Sequence, residues 1–158
     1  MRLTRHATIL GMLALGALAL GAHRGPAAPV QVRTVTVYKA PTCPCCGGWV
    51  RHAQRAGFTV IVRDTLAEAL PMVARRLGVP DSIPSCHTTV VGGYVVQGHV
   101  PLAAIERLLA ERPKIVGIGV AYMPLGSPGM EAGGRTEPYD VIAFKRDSSW
   151  VYSRHGAR

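Results

Sequence analysis

Three of the four cysteines in this chain stand within four residues, and this cluster is the feature most able to do chemistry. The segment reads Cys43-Pro44-Cys45-Cys46, and the fourth cysteine, Cys86, lies in a separate part of the chain. A deprotonated cysteine sulfur is both a nucleophile and a soft metal ligand. The cluster therefore points to a soft-metal site or to a thiol–disulfide redox centre.

Structural disulfides are the ordinary interpretation of an even cysteine count in an exported chain. Here the spacing argues against two of them, because the adjacent Cys45 and Cys46 cannot readily pair with each other. One bridge from the cluster to Cys86 would leave two crowded thiols, and these could bond only as a strained, reducible ring. The hypothesis of two structural disulfides therefore stays open beside those of a metal site and a redox centre.

The pair Cys43 and Cys46 has the CxxC spacing of thiol–disulfide enzymes. The pattern places it after a strand and at a helix start, where the positive end of the helix dipole lowers a thiol pKa. The extra Cys45 favours metal binding, since a third thiol would permit competing disulfides in a pure redox enzyme but adds a ligand to a metal site. A thiol–disulfide oxidoreductase that uses Cys43 and Cys46 is the alternative function.

Ligand softness indicates which metal the cluster would take. Three thiols in four residues diverge too much to close comfortably on one tetrahedral zinc ion, and they suit bridging between several ions. Thiolates with nearby thioether and imidazole groups favour Cu(I). The candidate supplementary ligands are His87, His99, Met123 and Met130. A single methionine or histidine is more often a packing or surface residue than a ligand. His87 is favoured as a ligand because it adjoins Cys86, whereas His52 is expected to face solvent.

The first half of the pattern predicts the elements that position the cluster. A β-branched strand at 34–38 leads into a loop, which is followed by a helix over 47–56 that Gly57 ends. A second strand follows at 58–62. This β-loop-α-β unit puts the cysteines at its turn.

A second helix is predicted over 66–77 from a single apolar stripe. Thr65 and Glu68 have the spacing of a capping box at its start. Pro71 interrupts the stripe, so we expect a kink or a helix that restarts at that residue.

The rest of the domain is predicted to be a hairpin, a helix and an extension. Strands at 88–91 and 94–97 flank a Gly-Gly turn, and Pro101 suits the first turn of a last helix. The order β-α-β-α-β-β-α predicts an α/β fold with a three-layer mixed sheet. Residues 117–134, with six glycines, read as a long Gly/Met-rich loop, and 141–153 as a closing β-hairpin extension.

The amino-terminal residues read as a secretory signal. Arg2 and Arg5 precede an uncharged apolar stretch that is shorter than the roughly 20 residues of a membrane span. We expect a signal peptide over 1–22, a flexible leader over 23–31 and one domain over 32–153. The product would be exported, in a bacterium to the periplasm, with no stable membrane anchor. The net charge of +9 is scattered without a basic run, which argues against nucleic acid as a partner.

Four ordered motifs resemble one known family, the CopG-like CxCC proteins, which are exported and linked to bacterial copper resistance. The motifs are YKAPTCPCCG at 38–47, IPSCHT at 83–88, GHVP at 98–101 and MPLGSPGME at 123–131, and the resemblance covers about residues 34–145. It implies a thioredoxin-like fold with a cis peptide bond before Pro84, which would bring Cys86 across from Cys43. It also implies a thiolate-bound, polynuclear Cu(I) site. The implied ligands are Cys43, Cys45, Cys46 and Cys86, with His87, His99, Met123 and Met130 as nearby or supplementary groups.

These inferences predict an exported Cu(I)-binding protein for copper resistance or homeostasis. Its partners would be copper ions, together with other exported copper proteins or an electron partner. Four thiols can also supply electrons that reduce Cu(II) to Cu(I), so a copper-linked redox activity is a further expectation.

Overall fold

The computed structural model describes residues 33–156. The predicted signal peptide and leader therefore lie outside the described residues. Within 33–156, no helix is long and apolar enough to cross a membrane. The helices are α1 (Pro44–Arg55), α2 (Leu70–Arg76) and α3 (Leu102–Glu111). The strands are β1 (Thr34–Lys39), β2 (Thr59–Asp64), β3 (His87–Val91), β4 (Tyr94–Gln97), β5 (Gly117–Gly119), β6 (Tyr139–Phe144) and β7 (Ser149–His155).

The seven strands form one mixed sheet in the order β2-β1-β3-β4-β5-β6-β7. The pairs β1 with β2 and β4 with β5 are parallel, and the other neighbours are antiparallel. Residues of α1 and α3 share one apolar cluster with the sheet, whereas α2 contributes to a second cluster. Val96 belongs to the first cluster and the preceding Val95 to the second, because successive strand residues point to opposite faces. The three-layer α/β fold is as predicted and agrees with a thioredoxin-like architecture.

Packing of Trp49 fixes the start of α1 above the sheet. The side chain is fully buried in the larger cluster, and its Nε1–H donates a hydrogen bond of 2.9 Å to the carbonyl of Val100. Burying an indole is favourable only where its N–H finds an acceptor. This contact therefore ties the helix that bears three cysteines to the segment between β4 and α3.

Helix α1 begins three residues earlier than the pattern predicted. Pro44 occupies its first turn, where a residue without an N–H loses no hydrogen bond. Cys43 is the N-cap, and its sulfur accepts from the backbone N–H of Cys46 at 3.3 Å. The cluster is thus part of the helix rather than of a loop before it.

The second helix is divided as Pro71 predicted, but its predicted cap was wrong. A 3-10 turn over Ala67–Ala69 precedes α2, which restarts with Pro71 in its first turn. The Thr65 hydroxyl does not cap this turn, because it donates to the carbonyl of Arg63 at 3.0 Å. Leu66 takes the N-cap position without a side-chain cap.

The predicted loop over 117–134 begins with a strand that the pattern did not show. Gly117–Gly119 forms β5 between β4 and β6. A Cβ on Gly117 would lie 1.8 Å from the carbonyl oxygen of Val95, so only glycine allows this approach. Glycines carry no side-chain periodicity, and this is why the strand was missed. The closing hairpin was predicted correctly, and as β6 and β7 it extends the same sheet.

Candidate metal centre

The first turn of α1 gathers three of the cysteine sulfurs. Cys43 and Cys46 are joined by a disulfide, while Cys45 has a free thiol whose sulfur lies 3.5 Å from that of Cys43. The bond is therefore made within the CxxC pair and leaves Cys86 free. The hypothesis of two structural disulfides does not describe this arrangement.

Cys86 reaches the cluster from the residue just before β3. Its sulfur lies 3.4 Å from that of Cys46 and 3.9 Å from that of Cys45, and all four sulfurs lie within 4.8 Å of one another. The structure thus brings together the four cysteines predicted as ligands, although a four-thiolate site requires reduction of the disulfide.

The predicted cis peptide bond before Pro84 was wrong, because the bond is trans. Backbone hydrogen bonds hold the residues on both sides of this bond. Ile83 donates its N–H to the carbonyl of Pro80 at 3.0 Å, and the carbonyl of Pro84 accepts from the N–H of Tyr122 at 2.6 Å. Cys86 therefore faces the cluster without the isomer that the resemblance implied.

His99 presents one ring nitrogen to the cluster and has the other held by the backbone. Nε2 lies 3.1 Å from the sulfur of Cys86, and Nδ1 lies 2.8 Å from the carbonyl oxygen of Pro128. A carbonyl can only accept, so Nδ1 carries the proton and the lone pair of Nε2 points toward Cys86. Burial lowers the pKa of His99 and keeps the ring neutral. The ring is thus oriented as a metal ligand would be.

His87 is fully buried between two other rings. Its Nδ1 lies 3.5 Å from the sulfur of Cys86, and its ring centroid is 5.1 Å from that of Trp49 and 4.9 Å from that of His99. Burial, with further effects of His99 and Lys39, lowers the pKa of His87 to about 3. Its Nε2 has no hydrogen-bond partner among the described residues. His87 is therefore a neutral imidazole with Nδ1 nearest the cluster.

The two predicted methionine ligands differ in what the structure shows of them. The thioether sulfur of Met123 lies 3.9 Å from the sulfur of Cys45, and the side chain is 44% exposed. Met130 is seen through its backbone, which donates to Ser127 and accepts from Gly126. Met123 can supplement the cluster from the solvent side, and Met130 stays a prediction.

Sequence reasoning did not foresee the role of His52. Instead of facing solvent freely, its Nε2 bonds to the carboxylate of Glu131, which also accepts the backbone N–H of Gly129 at 3.1 Å. Partial burial raises the pKa of Glu131, but these hydrogen bonds outweigh it, and the net shift is downward. The only sequence signal for this contact was that Glu131 ends the last of the four motifs.

Two solved structures of copper resistance protein CopG share this fold and most of this chain. The Form 2 structure is 40% identical with a TM-score of 0.73, and the alignment covers 78% of this chain and 98% of that one. The Form 1 structure is 38% identical with a TM-score of 0.74, covering 80% of this chain and 99% of that one. The chain belongs to the CopG family. This confirms the resemblance that its four motifs carried.

A family model described as protein of unknown function DUF411 matches residues 83–130, a span of this CopG family member that includes Cys86 and His99. No curated protein matches the chain.

In this CopG family member the half-buried thiol of Cys86 holds its proton tightly. With Cys43 and Cys46 joined, burial and the nearby Cys45 raise the pKa of Cys86 to about 12. The thiol is therefore neutral near pH 7, unlike a thiol exposed at a helix start. A soft metal ion would have to displace this proton, which couples metal binding to proton release.

Proposed function

We propose that the reduced protein is an exported Cu(I)-binding protein for copper resistance or homeostasis. The observation that carries the proposal is the approach of four cysteine sulfurs from two distant segments to within 4.8 Å of one another. Relatives of the same family are copper resistance proteins, which supports copper as the metal. Copper is here the cargo of the protein.

Donor chemistry supports Cu(I) over zinc. Besides the four sulfurs, the cluster is flanked by the Met123 thioether and by the Nε2 lone pair of His99. Thiolate, thioether and imidazole together are the ligands that Cu(I) favours. The donors also extend beyond the four sulfurs, because Cys86, His87 and His99 form a second group of candidate ligands.

The site that we propose holds more than one Cu(I) ion. One donor set consists of the four cysteines, and a second consists of Cys86, His87 and His99. Cys86 belongs to both sets, and a thiolate sulfur shared in this way can bridge two ions. The remaining cysteines would then act as terminal or bridging ligands.

The disulfide supports a redox step toward copper. Two thiolates, those of Cys43 and Cys46, would each give one electron to a Cu(II) ion, so that one S–S bond forms and two Cu(I) ions are produced. The sulfurs of Cys45 and Cys86 would remain to receive Cu(I), and Cys86 would release its proton as the ion binds. An electron partner of the dithiol class would return the disulfide to two thiols.

A thiol–disulfide oxidoreductase is the second candidate function. The observation that favours it is the disulfide itself, which joins the CxxC pair at the start of α1. Replacing Cys45 with Ala separates the two functions. An oxidoreductase should keep most of its dithiol exchange activity, whereas a copper site should lose stoichiometry or affinity for Cu(I).

The compartment and partners form part of the same proposal. We infer export, in a bacterium to the periplasm, from the predicted signal over residues 1–22. The partners would be copper ions and, for transfer or for electrons, other exported copper proteins. Nucleic acid has no place in this function, since the charge of the chain forms no basic run.

The decisive experiment is an anaerobic titration of the reduced, exported protein with Cu(I) in competition with a colorimetric chelator. We expect stoichiometric uptake that the chelator reverses only at high concentration. Affinity weaker than micromolar, or no stoichiometric uptake, would overturn the proposal.

A further inference from the structure

Residues 122–131 connect the segment just before Cys86 to helix α1, and we call these residues the strap. At its start, Tyr122 donates its N–H to the carbonyl of Pro84 at 2.6 Å and accepts from the Ser85 hydroxyl at 2.9 Å. Tyr122 has a φ of 60°, a left-handed conformation that non-glycine residues rarely adopt. These bonds hold the first residue of the strap beside the segment that leads to Cys86.

Hydrogen bonds within the strap make it one compact unit. The buried Ser127 donates from its hydroxyl to the carbonyl of Pro124 at 2.7 Å, and its own carbonyl accepts from Met130 at 2.8 Å. Gly126 donates its N–H to the carbonyl of Met130 at 3.0 Å. Since the unit is bonded internally, its orientation over the cluster depends on where its far end is anchored.

The far end lies directly against the helix that carries the cluster. A Cβ on Gly129 would lie 2.5 Å from the carbonyl oxygen of Cys45 and 2.6 Å from the nitrogen of Trp49. A Cβ on Gly48 would lie 2.8 Å from the Cα of Gly129. The two glycines thus allow a backbone-to-backbone contact that no larger residue would permit.

One carboxylate oxygen completes this contact. Oε1 of Glu131 accepts the N–H of Gly129 at 3.1 Å and also bonds to Nε2 of His52, which lies on α1 beyond the cysteines. The same oxygen therefore joins the end of the strap to the helix. Between the two anchors lies Pro128, whose carbonyl accepts from Nδ1 of His99.

We propose that Glu131 and His52 are positioning residues for the metal centre. They hold the strap against α1, so that the Pro128 carbonyl stays on Nδ1 of His99 and Nε2 stays directed at Cys86. The inference rests on the proposed function, because it assigns His99 a part in holding Cu(I). Neither Glu131 nor His52 contacts the metal ion in this account.

The first test needs no metal. In the reduced, metal-free exported protein, nitrogen NMR of the His99 ring should show a protonated Nδ1 and an unprotonated Nε2. Glu131→Ala should shift the Nδ1 resonance toward a mixture of tautomers, because the Pro128 carbonyl is no longer held in place. Glu131→Gln should restore the wild-type spectrum, since its amide oxygen can accept from Gly129 and its polar group can still meet His52.

The second test measures Cu(I) affinity by chelator competition. Loss of a group that orients a metal ligand typically weakens binding by roughly 10-fold to 100-fold, and we expect this for Glu131→Ala and for His52→Ala. The double variant should bind no more weakly than Glu131→Ala alone, because His52 acts through its contact with Glu131. The matched control is Glu111→Ala, which removes another surface carboxylate in an ion pair, with Arg107, away from the strap.

The two tests separate failure of this inference from failure of the proposed function. If the wild-type protein takes up no Cu(I), the proposed function fails, and the NMR experiment alone decides whether Glu131 positions His99. If the wild-type protein binds Cu(I) but Glu131→Ala leaves the His99 spectrum and the affinity unchanged, the inference is wrong. A variant that loses the folded circular dichroism spectrum is replaced in both tests by His52→Leu, which removes the ring nitrogen that meets Glu131 and for which the same shifts are expected.

Discussion

The sulfur of Cys86 and the Nε2 of His99 lie 3.1 Å apart across the open end of one hairpin. Cys86 immediately precedes β3 and His99 closely follows β4, and the strands pair with Thr88 opposite Gln97. The N–H of Gly98 donates to the carbonyl of His87 at 3.0 Å and continues the ladder to the site. Hairpin register therefore determines that a thiol and an imidazole meet above the start of α1.

Replacing Cys86 with Ala should abolish tight Cu(I) uptake. Its sulfur is the one that approaches Cys45, Cys46 and His99, so its loss separates the two donor sets. The loss of affinity should exceed the roughly 10-fold to 100-fold seen when an outer partner is removed. Anaerobic chelator competition measures it, with Ser82→Ala as an exposed control in the same segment. Equal affinity for Cys86→Ala and wild type would contradict the proposed ligand set.

Replacing Met123 with Leu should weaken Cu(I) binding by less than about 10-fold, or about 1.4 kcal/mol. The thioether lies 3.9 Å from the sulfur of Cys45 but is 44% exposed, so it supplements the thiolates from the solvent side. Met72→Leu is the matched control, because Met72 is 50% exposed on α2. The same chelator competition measures both variants. If the two variants bind equally, Met123 is not a ligand.

The stability of the disulfide-bonded, metal-free protein should fall as the pH falls from about 6.5 toward about 3. In the unfolded chain His87 takes up a proton near the ordinary histidine pKa of 6.5, whereas in the folded protein it resists protonation until about pH 3. Protons therefore favour the unfolded state in this window, and the full stability is present above it. One proton corresponds to a slope of about 1.4 kcal/mol per pH unit.

Urea unfolding followed by circular dichroism at a series of pH values measures this slope. His99, whose pKa is also lowered by burial, contributes in the same direction. The variant His87→Phe keeps an aromatic ring beside Trp49. Its free energy of unfolding should depend less on pH, by close to the slope that one proton contributes. An unchanged slope in that variant would show that the pH dependence arises elsewhere.

Adjacent glycines at the start of α1 should respond in opposite ways to Ala. A Cβ on Gly47 would meet only the guanidinium of Arg51, at 3.6 Å, so Gly47→Ala should raise the free energy of unfolding by about 0.5–1 kcal/mol. A Cβ on Gly48 would press on the backbone of Gly129, so Gly48→Ala should lower it by roughly 1–3 kcal/mol. Urea unfolding compares the two. Stabilisation by both substitutions would mean that the strap can move away at no cost.

Local patterns predicted the elements that carry the cluster. Neighbouring residues were sufficient to predict three of them: the β-branched strand β1, the helix α1 with its apolar face, and the hairpin with its Gly-Gly turn. Other predictions failed, each for its own reason. The glycines of β5 have no side chains to alternate, and the Thr65 hydroxyl bonds to the carbonyl of Arg63 instead of capping the next helix. The cis bond before Pro84 was implied by the family resemblance, and the bond is trans.

In the candidate site, too, some features could be predicted from local sequence and others could not. Residue type and motif predicted the four cysteines, His87, His99 and Met123 as donors, and the structure places these side chains near one another. The contact of His52 with Glu131 was not found, since neither residue has a local pattern that names a partner. The interlocked Gly48 and Gly129 also look like ordinary turn or helix glycines until the two backbones are seen together.

The sequence by itself determined which donors this protein offers, and that three of them would stand at one helix start, because residue type and local pattern are properties of neighbouring positions. Only the tertiary structure decided that Cys86 and His99 join them, that the disulfide links Cys43 to Cys46, and that Pro128 orients the imidazole. These contacts depend on strand register and on the packing of the strap against α1. Such relationships arise only when distant segments are brought together by folding.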